Sequence, residues 1–254
     1  MRSTVAKDAG SCLVTIGTRS RPTLRLVCFG HAGSGTAALR PLAARLPDAI
    51  ETLAVRLPGR EGRPHAVAAP ARLVSELADA IDAGVDRPFA LLGQSIGAWL
   101  AFAVAHELRA RDRPPAHLFV LASAPPHLAD PRAPLHELPG TELVAELERR
   151  YGGLPEAVLR SDDVLAHFLP ILRADLRLAH SLEFVHEPAL ASPISALGGC
   201  DDRSLTIDAL AAWKDETDAE FSLRITSGGH FLAQASPASV AGAVTEDLDR
   251  WRPA

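Results

Sequence analysis

A serine at the centre of Gly93-Gln94-Ser95-Ile96-Gly97 has the surroundings of a nucleophile. The apolar run Pro88-Phe89-Ala90-Leu91-Leu92 leads into it and reads as a buried strand, and Ala98 to Ala105 leads away from it and reads as a helix. A serine on a sharp strand-to-helix turn takes a strained backbone that lifts its hydroxyl clear of the sheet. Glycines on either side leave room where a Cβ would collide. The helix that begins there points unpaired N–H groups at any negative charge formed beside the serine. Gly and Ser are common, so the pentapeptide alone also fits a Gly-rich turn whose serine merely caps the helix.

A serine hydroxyl needs a base to take its proton and a third group to orient that base, here expected in the order Ser, Asp or Glu, His. Two downstream loops qualify, Gly198-Gly199-Cys200-Asp201-Asp202 and Ser227-Gly228-Gly229-His230-Phe231, each placed after a short apolar run that reads as a strand. Of ten histidines, His230 combines a Gly-Gly loop with a position just past the last strand, whereas His106 and His117 read as surface or packing residues. The common spacing of a Gly, two residues and then the acid, counted from Gly199, favours Asp202 over Asp201, which would cap the following turn or face solvent. Two backbone N–H groups must meet the developing oxyanion. Ile96 would supply one, and Ala32, in the loop Gly30-His31-Ala32-Gly33-Ser34-Gly35, the other. That loop lacks the lysine of a P-loop and its glycines do not fit G-x-G-x-x-G, so nucleotide binding is set aside.

These loops need a sheet to hold them. Leu24 to Phe29 reads as the first buried strand, Ile50 to Val55 as the second, then Phe89 to Leu92, Leu118 to Ala122, Ile194 to Leu197 and Phe221 to Ile225. Helices are expected over Thr36 to Leu46, Ala71 to Ala83, the stretch from the serine to about Arg111, and Ala238 to Trp251. Alternation of this kind implies an α/β fold with a mostly parallel central sheet covered on both faces. Between about Pro125 and Pro193 no strand is expected. Helices are read there at Thr141 to Tyr151, closed by Gly152-Gly153, at Ser161 to Phe168, with Ser161 as cap, and from Pro170 onward. This insertion, residues 125–193, would form a lid over the strand C-terminal ends, where open α/β sheets place their ligands. The domain proper spans residues 23–254, and residues 1–22 read as a flexible N-terminal extension.

The 254 residues fit one domain, and a hydrophobic share of 47% fills a sizeable core. A net charge of −5 with no basic stripe argues against a nucleic-acid partner. No apolar run reaches eighteen residues and Met1 to Arg21 lacks a signal-peptide layout, so neither membrane insertion nor export is expected. Three cysteines, Cys12, Cys28 and Cys200, do not make a paired framework and fit a reducing cytoplasm. Cys28 reads as core, and Cys200, although near the acid, as structural.

Several stretches together resemble the type II thioesterases, stand-alone α/β-hydrolases that accompany polyketide and nonribosomal peptide synthases. They are His31-Ala32-Gly33, Leu57-Pro58-Gly59-Arg60-Glu61, Pro88 to Ala98, Leu169-Pro170-Ile171-Leu172-Arg173-Ala174-Asp175, Gly198 to Asp202 and Gly228-Gly229-His230-Phe231. The resemblance runs from about Leu24 to Trp251. It implies an α/β-hydrolase fold and hydrolysis of acyl groups from the phosphopantetheine thiol of acyl or peptidyl carrier proteins, removing stalled or aberrant chains. Ser95, Asp202 and His230 would be the triad and Ala32 and Ile96 the oxyanion amides. No metal and no cofactor of the enzyme's own is implied, since the substrate carries the phosphopantetheine. The chain departs from the family pattern at Gln94, where the family usually has His, and at Gly30, where it often has Pro. Two alternatives are a carboxylesterase or lipase acting on free esters and a carrier-binding module with little turnover. Arg56, Arg60 and Arg63, just after a strand end, are candidates for docking an acidic carrier, a solvated loop being the other reading.

Overall fold

A computed structural model describes residues 11–64, 69–128, 134–152, 154, 160–182 and 188–251. Seven strands form one sheet in the order β1-β3-β2-β4-β5-β6-β7. They are β1 (Leu13–Gly17), β2 (Leu24–Phe29), β3 (Ile50–Val55), β4 (Phe89–Gln94), β5 (Leu118–Leu121), β6 (Ile194–Gly199) and β7 (Phe221–Thr226). All neighbours pair in parallel except β1, which runs antiparallel to β3 at the edge. This is the architecture of an α/β-hydrolase fold.

The buried strands read as unbroken apolar runs because each face of the sheet is covered. Along β4, Phe89 and Leu91 point to one core and Ala90 and Leu92 to the other. Along β5, Leu118 and Val120 take the first side and Phe119 and Leu121 the second. The first core is closed by α2 (Pro70–Gly84) and α3 (Ile96–Ala110), through Leu73, Leu77, Ile81, Leu100, Val104 and Leu108. The apolar positions of α2 recur every three to four residues, and Pro70 opens the helix where its missing N–H costs nothing. The second core is closed by Leu39 and Leu42 and by Val240, Val244 and Leu248 of the C-terminal helix Pro237–Trp251.

Three expectations need correction. Residues 11–22 are not a loose extension, because Leu13–Gly17 forms β1, with Cys12 and Leu13 buried; residues 1–10 lie outside the described set. The single helix expected over Thr36 to Leu46 is a 3-10 turn, Thr36–Leu39, followed by α1 (Arg40–Ala43). The insertion contains α4 (Gly140–Tyr151) and α5 (Asp162–Ser181), and α5 runs through Pro170 instead of restarting there. Ala166 and Pro170 are both exposed, so the carbonyl that loses its intrahelical donor faces solvent and the proline is tolerated. Ser161 caps α5 as expected, its hydroxyl accepting from Val164 N at 3.4 Å. Gly153 and other parts of the insertion, 129–133, 155–159 and 183–187, lie outside the described residues. The short helix α6 (Ile207–Ala211) and α7 (Leu232–Ala235), which follows His230 directly, were not expected, and the C-terminal helix is α8.

His117 is a packing residue. Its ring stacks on Phe119 at 4.3 Å, and Nε2 lies 2.7 Å from Ser195 Oγ on β6. Ser195 donates to Asp247 Oδ2 at 2.6 Å, and Arg224 on β7 holds Asp247 through two bonds of 2.6 Å, so a buried polar network pins α8 to the sheet. Burial pushes the His117 pKa down to about 4, against the attraction of Asp247 and with the repulsion of Arg224. The unfolded chain therefore takes up this proton near the ordinary histidine value, well before the folded chain does. Stability must fall as pH drops from about 6.5 toward about 4. Between pH 7 and 5 this one group should cost about 2 kcal/mol. Urea unfolding of the protein and of His117→Gln at the two pH values checks this, and equal pH dependence in both would refute it.

Candidate active site

Ser95 sits between the end of β4 and the start of α3 at φ 59°, ψ −125°, the strained turn that the motif implies. Two close approaches make its flanking glycines necessary. A Cβ on Gly93 would overlap the Gly97 carbonyl, and a Cβ on Gly97 would overlap the carbonyl oxygens of Phe29 and Gly30. The Ser95 N–H donates to Leu121 O at 2.9 Å, which ties the elbow to β5.

Past the ends of β6 and β7, the acid and histidine loops meet. Asp201 N donates to Gly228 O at 2.9 Å and Cys200 N to Thr226 O at 2.9 Å. Gly199 allows this contact, because a Cβ there would overlap the Gly228 and Gly229 carbonyls. His230 Nδ1 lies 2.9 Å from Asp202 Oδ2, with His230 5% exposed, whereas Asp201 points to solvent. Burial alone would raise the Asp202 carboxyl. The hydrogen bond and charge of His230, with two hydrogen bonds from Ser204, outweigh that and hold it below the ordinary carboxylate value. Ser204 N and Oγ donate to Asp202 Oδ1 at 2.9 and 2.6 Å, so one oxygen faces Ser204 and the other the imidazole. Nδ1 is committed to the acid, which leaves Nε2 for proton exchange.

Ser95, His230, Ala32 and Ile96 all line one cavity of about 560 Å³. The imidazole's hydrogen bonds run to Asp202 and Ser204, and among the described residues Ser95 Oγ has no hydrogen-bond partner. Such a last step is commonly open without substrate and closes in the substrate complex. Most of the remaining cavity wall is apolar, with Trp99 and Leu205 from the core domain and Leu147, Phe168, Leu172 and Leu176 from the insertion, and Ser34, Ser123, Tyr151 and Gln234 add polar groups. Helices α4 and α5 thus cover the chamber, packed on one another through Leu143, Leu147 and Leu172.

Three contacts were not read from the sequence. Gln94, 1% exposed, accepts from Ala233 N at 3.0 Å and donates to His230 O at 3.2 Å, so its amide fixes the histidine loop from behind. A neutral side chain with both a donor and an acceptor suits that task. Tyr151, the last residue of α4, lies with its ring 4.5 Å from that of His230. Ser204 follows Asp202 by two residues, the one signal of these three that turn chemistry offers.

The three arginines read as docking candidates are not at the surface. Arg56, Arg60 and Arg63 are each 7% exposed. Arg56 donates to the carbonyls of Ser11 and Glu61, Arg63 pairs with Glu76 at 2.6 Å, and Arg60 pairs with Asp175 of α5 at 2.5 Å. A buried guanidinium needs several acceptors, and these come from Ser11, Ser34, Arg56, Glu61, Glu76 and Asp175. Among the described residues no helix is long and apolar enough to cross a membrane.

Known proteins share this architecture. A family model described as Thioesterase domain matches residues 24–251. The chain is 33% identical over 236 residues to the gramicidin S biosynthesis protein GrsT of Aneurinibacillus migulanus, covering 92% of each. Among solved structures, RedJ, a thioesterase from the prodiginine pathway of Streptomyces coelicolor, superposes with a TM-score of 0.81 at 33% identity, over 99% of this chain and 91% of that one. BorB, a type II thioesterase from the borrelidin biosynthetic cluster, gives 0.82 at 30% identity, over 96% and 98%.

Proposed function

Since the chain belongs to the thioesterase family, among the type II enzymes of nonribosomal peptide and polyketide pathways, we propose that it hydrolyses acyl groups from the phosphopantetheine thiol of acyl or peptidyl carrier proteins. Its role would be to clear aberrant or stalled chains. His230 Nε2 takes the Ser95 proton as Oγ attacks the thioester carbonyl. The C–S bond breaks and the thiolate receives the proton from the imidazolium. Water, deprotonated by the same nitrogen, then attacks the acyl-serine, the acyl C–Oγ bond breaks, Oγ takes the proton back from the imidazolium and the acid leaves. Asp202 holds the ring in the tautomer this requires. The amides of Ala32 and Ile96 meet the oxyanion in both steps. A thiolate leaves readily, so oxyanion stabilisation and positioning supply most of the acceleration.

The observation that carries this reading is the 2.9 Å His230–Asp202 contact at the wall of an apolar chamber shared with Ser95. An apolar chamber suits an acyl chain, and the protein needs no cofactor of its own for this chemistry. The test is acid release from an acylated carrier protein, followed by mass spectrometry, beside the matching free ester. Ser95-dependent release from the carrier, faster than from the ester, is the expected result. Preference for the free ester would assign the chain to esterase chemistry instead.

A further inference from the structure

The oxyanion loop is held from outside by charges that take no part in the reaction. Asp175, on α5 and 3% exposed, accepts from Gly33 N at 2.7 Å through one carboxylate oxygen and from Arg60 Nη2 at 2.5 Å through the other. Arg60 also donates through Nη1 to Ser34 O at 2.5 Å. Its neighbour Glu61 accepts from Thr36 N at 2.7 Å and from the Thr36 hydroxyl. Backbone groups of residues 33, 34 and 36 are therefore each tied to a side chain from another element.

The His31–Ala32 peptide group is planar, so whatever fixes its carbonyl fixes the direction of the Ala32 N–H. The His31 carbonyl accepts from Ser34 N at 3.1 Å and from Ser34 Oγ at 2.7 Å. Ser34 is in turn held at its carbonyl by Arg60, and Arg60 by Asp175. Gly33, next to Ala32, has φ +77° and packs so closely on Phe168 of α5 that a Cβ would overlap the ring. The loop is thus seated on α5 both by shape and by charge.

We propose that Asp175 and Arg60 are positioning residues that aim the Ala32 amide at the oxyanion, so that seating α5 over the chamber and completing the oxyanion hole are one structural event. This rests on the serine mechanism proposed above. It also accounts for the burial of an arginine that would otherwise be suited to the surface. In Asp175→Asn, one carboxylate oxygen becomes an NH2 group that meets a donor whichever way the amide turns, Gly33 N–H on one side and Arg60 on the other.

The test uses a small acyl thioester of N-acetylcysteamine, which needs no carrier, with Ser95→Ala as control. Asp175→Asn should lower kcat about 10- to 100-fold, the order of a misaimed oxyanion donor, with KM changed less than about two-fold. Affinity for a trifluoromethyl ketone carrying the same acyl chain, which forms a tetrahedral oxyanion on the serine, should fall in proportion to kcat. Affinity for the unreactive thioether analogue should not change, and a merely structural role would weaken both ligands together. Should Asp175→Asn fail to fold, the double variant Arg60→Met, Asp175→Leu removes both charges and leaves neither unpaired. It should fold and show the same loss of kcat. A wild-type kcat in either variant, or parallel loss of ketone and thioether binding, overturns the proposal while leaving Ser95-dependent hydrolysis intact. Turnover that survives in Ser95→Ala would remove the serine mechanism itself, and the positioning role with it.

Discussion

Ser95→Ala should lower thioester hydrolysis by about 10⁵-fold or more, while the protein melts within a few degrees of the parent. The fold is spared for two reasons. Alanine meets at φ 59° much the same backbone strain as serine, so the turn costs no more than it already does. Ser95 Oγ has no hydrogen-bond partner among the described residues, so its removal orphans no buried group. The whole effect therefore falls on chemistry. Asp202→Asn should cost about 10³- to 10⁴-fold, because an amide nitrogen facing Nδ1 stabilises the tautomer in which Nε2 carries the proton. Ser204→Ala removes two hydrogen bonds' worth of support from Asp202 only in part, since the Ser204 N–H remains, and should cost far less than either. Steady-state kinetics on one thioester ranks the three. If Ser95→Ala retains more than about one part in a thousand of the parent kcat, a different group is the nucleophile.

How much of this was legible in the sequence depends on how local the signal was. The strands were readable because a two-face-buried parallel sheet demands short apolar runs, as in Leu24 to Phe29 and Phe89 to Leu92. The loops that carry Ser95, Asp202 and His230 were readable because each follows such a run and is glycine-rich, and glycine is what close backbone approach requires at Gly93, Gly97 and Gly199. Strand β1 was missed although Leu13-Val14-Thr15-Ile16 is rich in strand formers, because it is a five-residue antiparallel edge strand with no helix between it and β2, outside the strand–helix alternation that marks the others. The proline in α5 misled because a local rule bars proline from helix interiors, while the cost depends on whether the orphaned carbonyl can reach water. Charge misled most. A run containing Arg56, Arg60 and Arg63 reads as surface, and the acceptors that bury it, Asp175 and Glu76 among them, are far away along the chain or on another element. Contacts such as that of Gln94 with His230 O span 136 positions in the chain, and no spacing rule reaches that far.

Gly97→Ala tests one of those approaches and should be strongly damaging for a single added methyl group. Its Cβ would fall on the carbonyl oxygens of Phe29 and Gly30, and both obstacles are backbone, with no side chain able to rotate away. Either α3 must lift off the end of β2 or the end of β2 must bend. The first moves Ile96 and Ser95 and the second moves the start of the Ala32 loop, so each separates the proposed nucleophile from its proposed oxyanion donors. A loss of about 3 kcal/mol in unfolding free energy is expected from such overpacking. A fall in kcat on the order of a hundred-fold is expected from the displaced donors. Gly242→Ala supplies the contrast. Gly242 lies inside α8 with nothing within 4 Å of an added Cβ, so alanine there should stabilise the helix by up to about 1 kcal/mol and leave kcat alone. Urea unfolding and steady-state kinetics on the two variants separate a steric collision from the generic effect of adding a methyl group. Equal stability of Gly97→Ala and the parent would mean that α3 and β2 do not approach as closely as the elbow geometry requires.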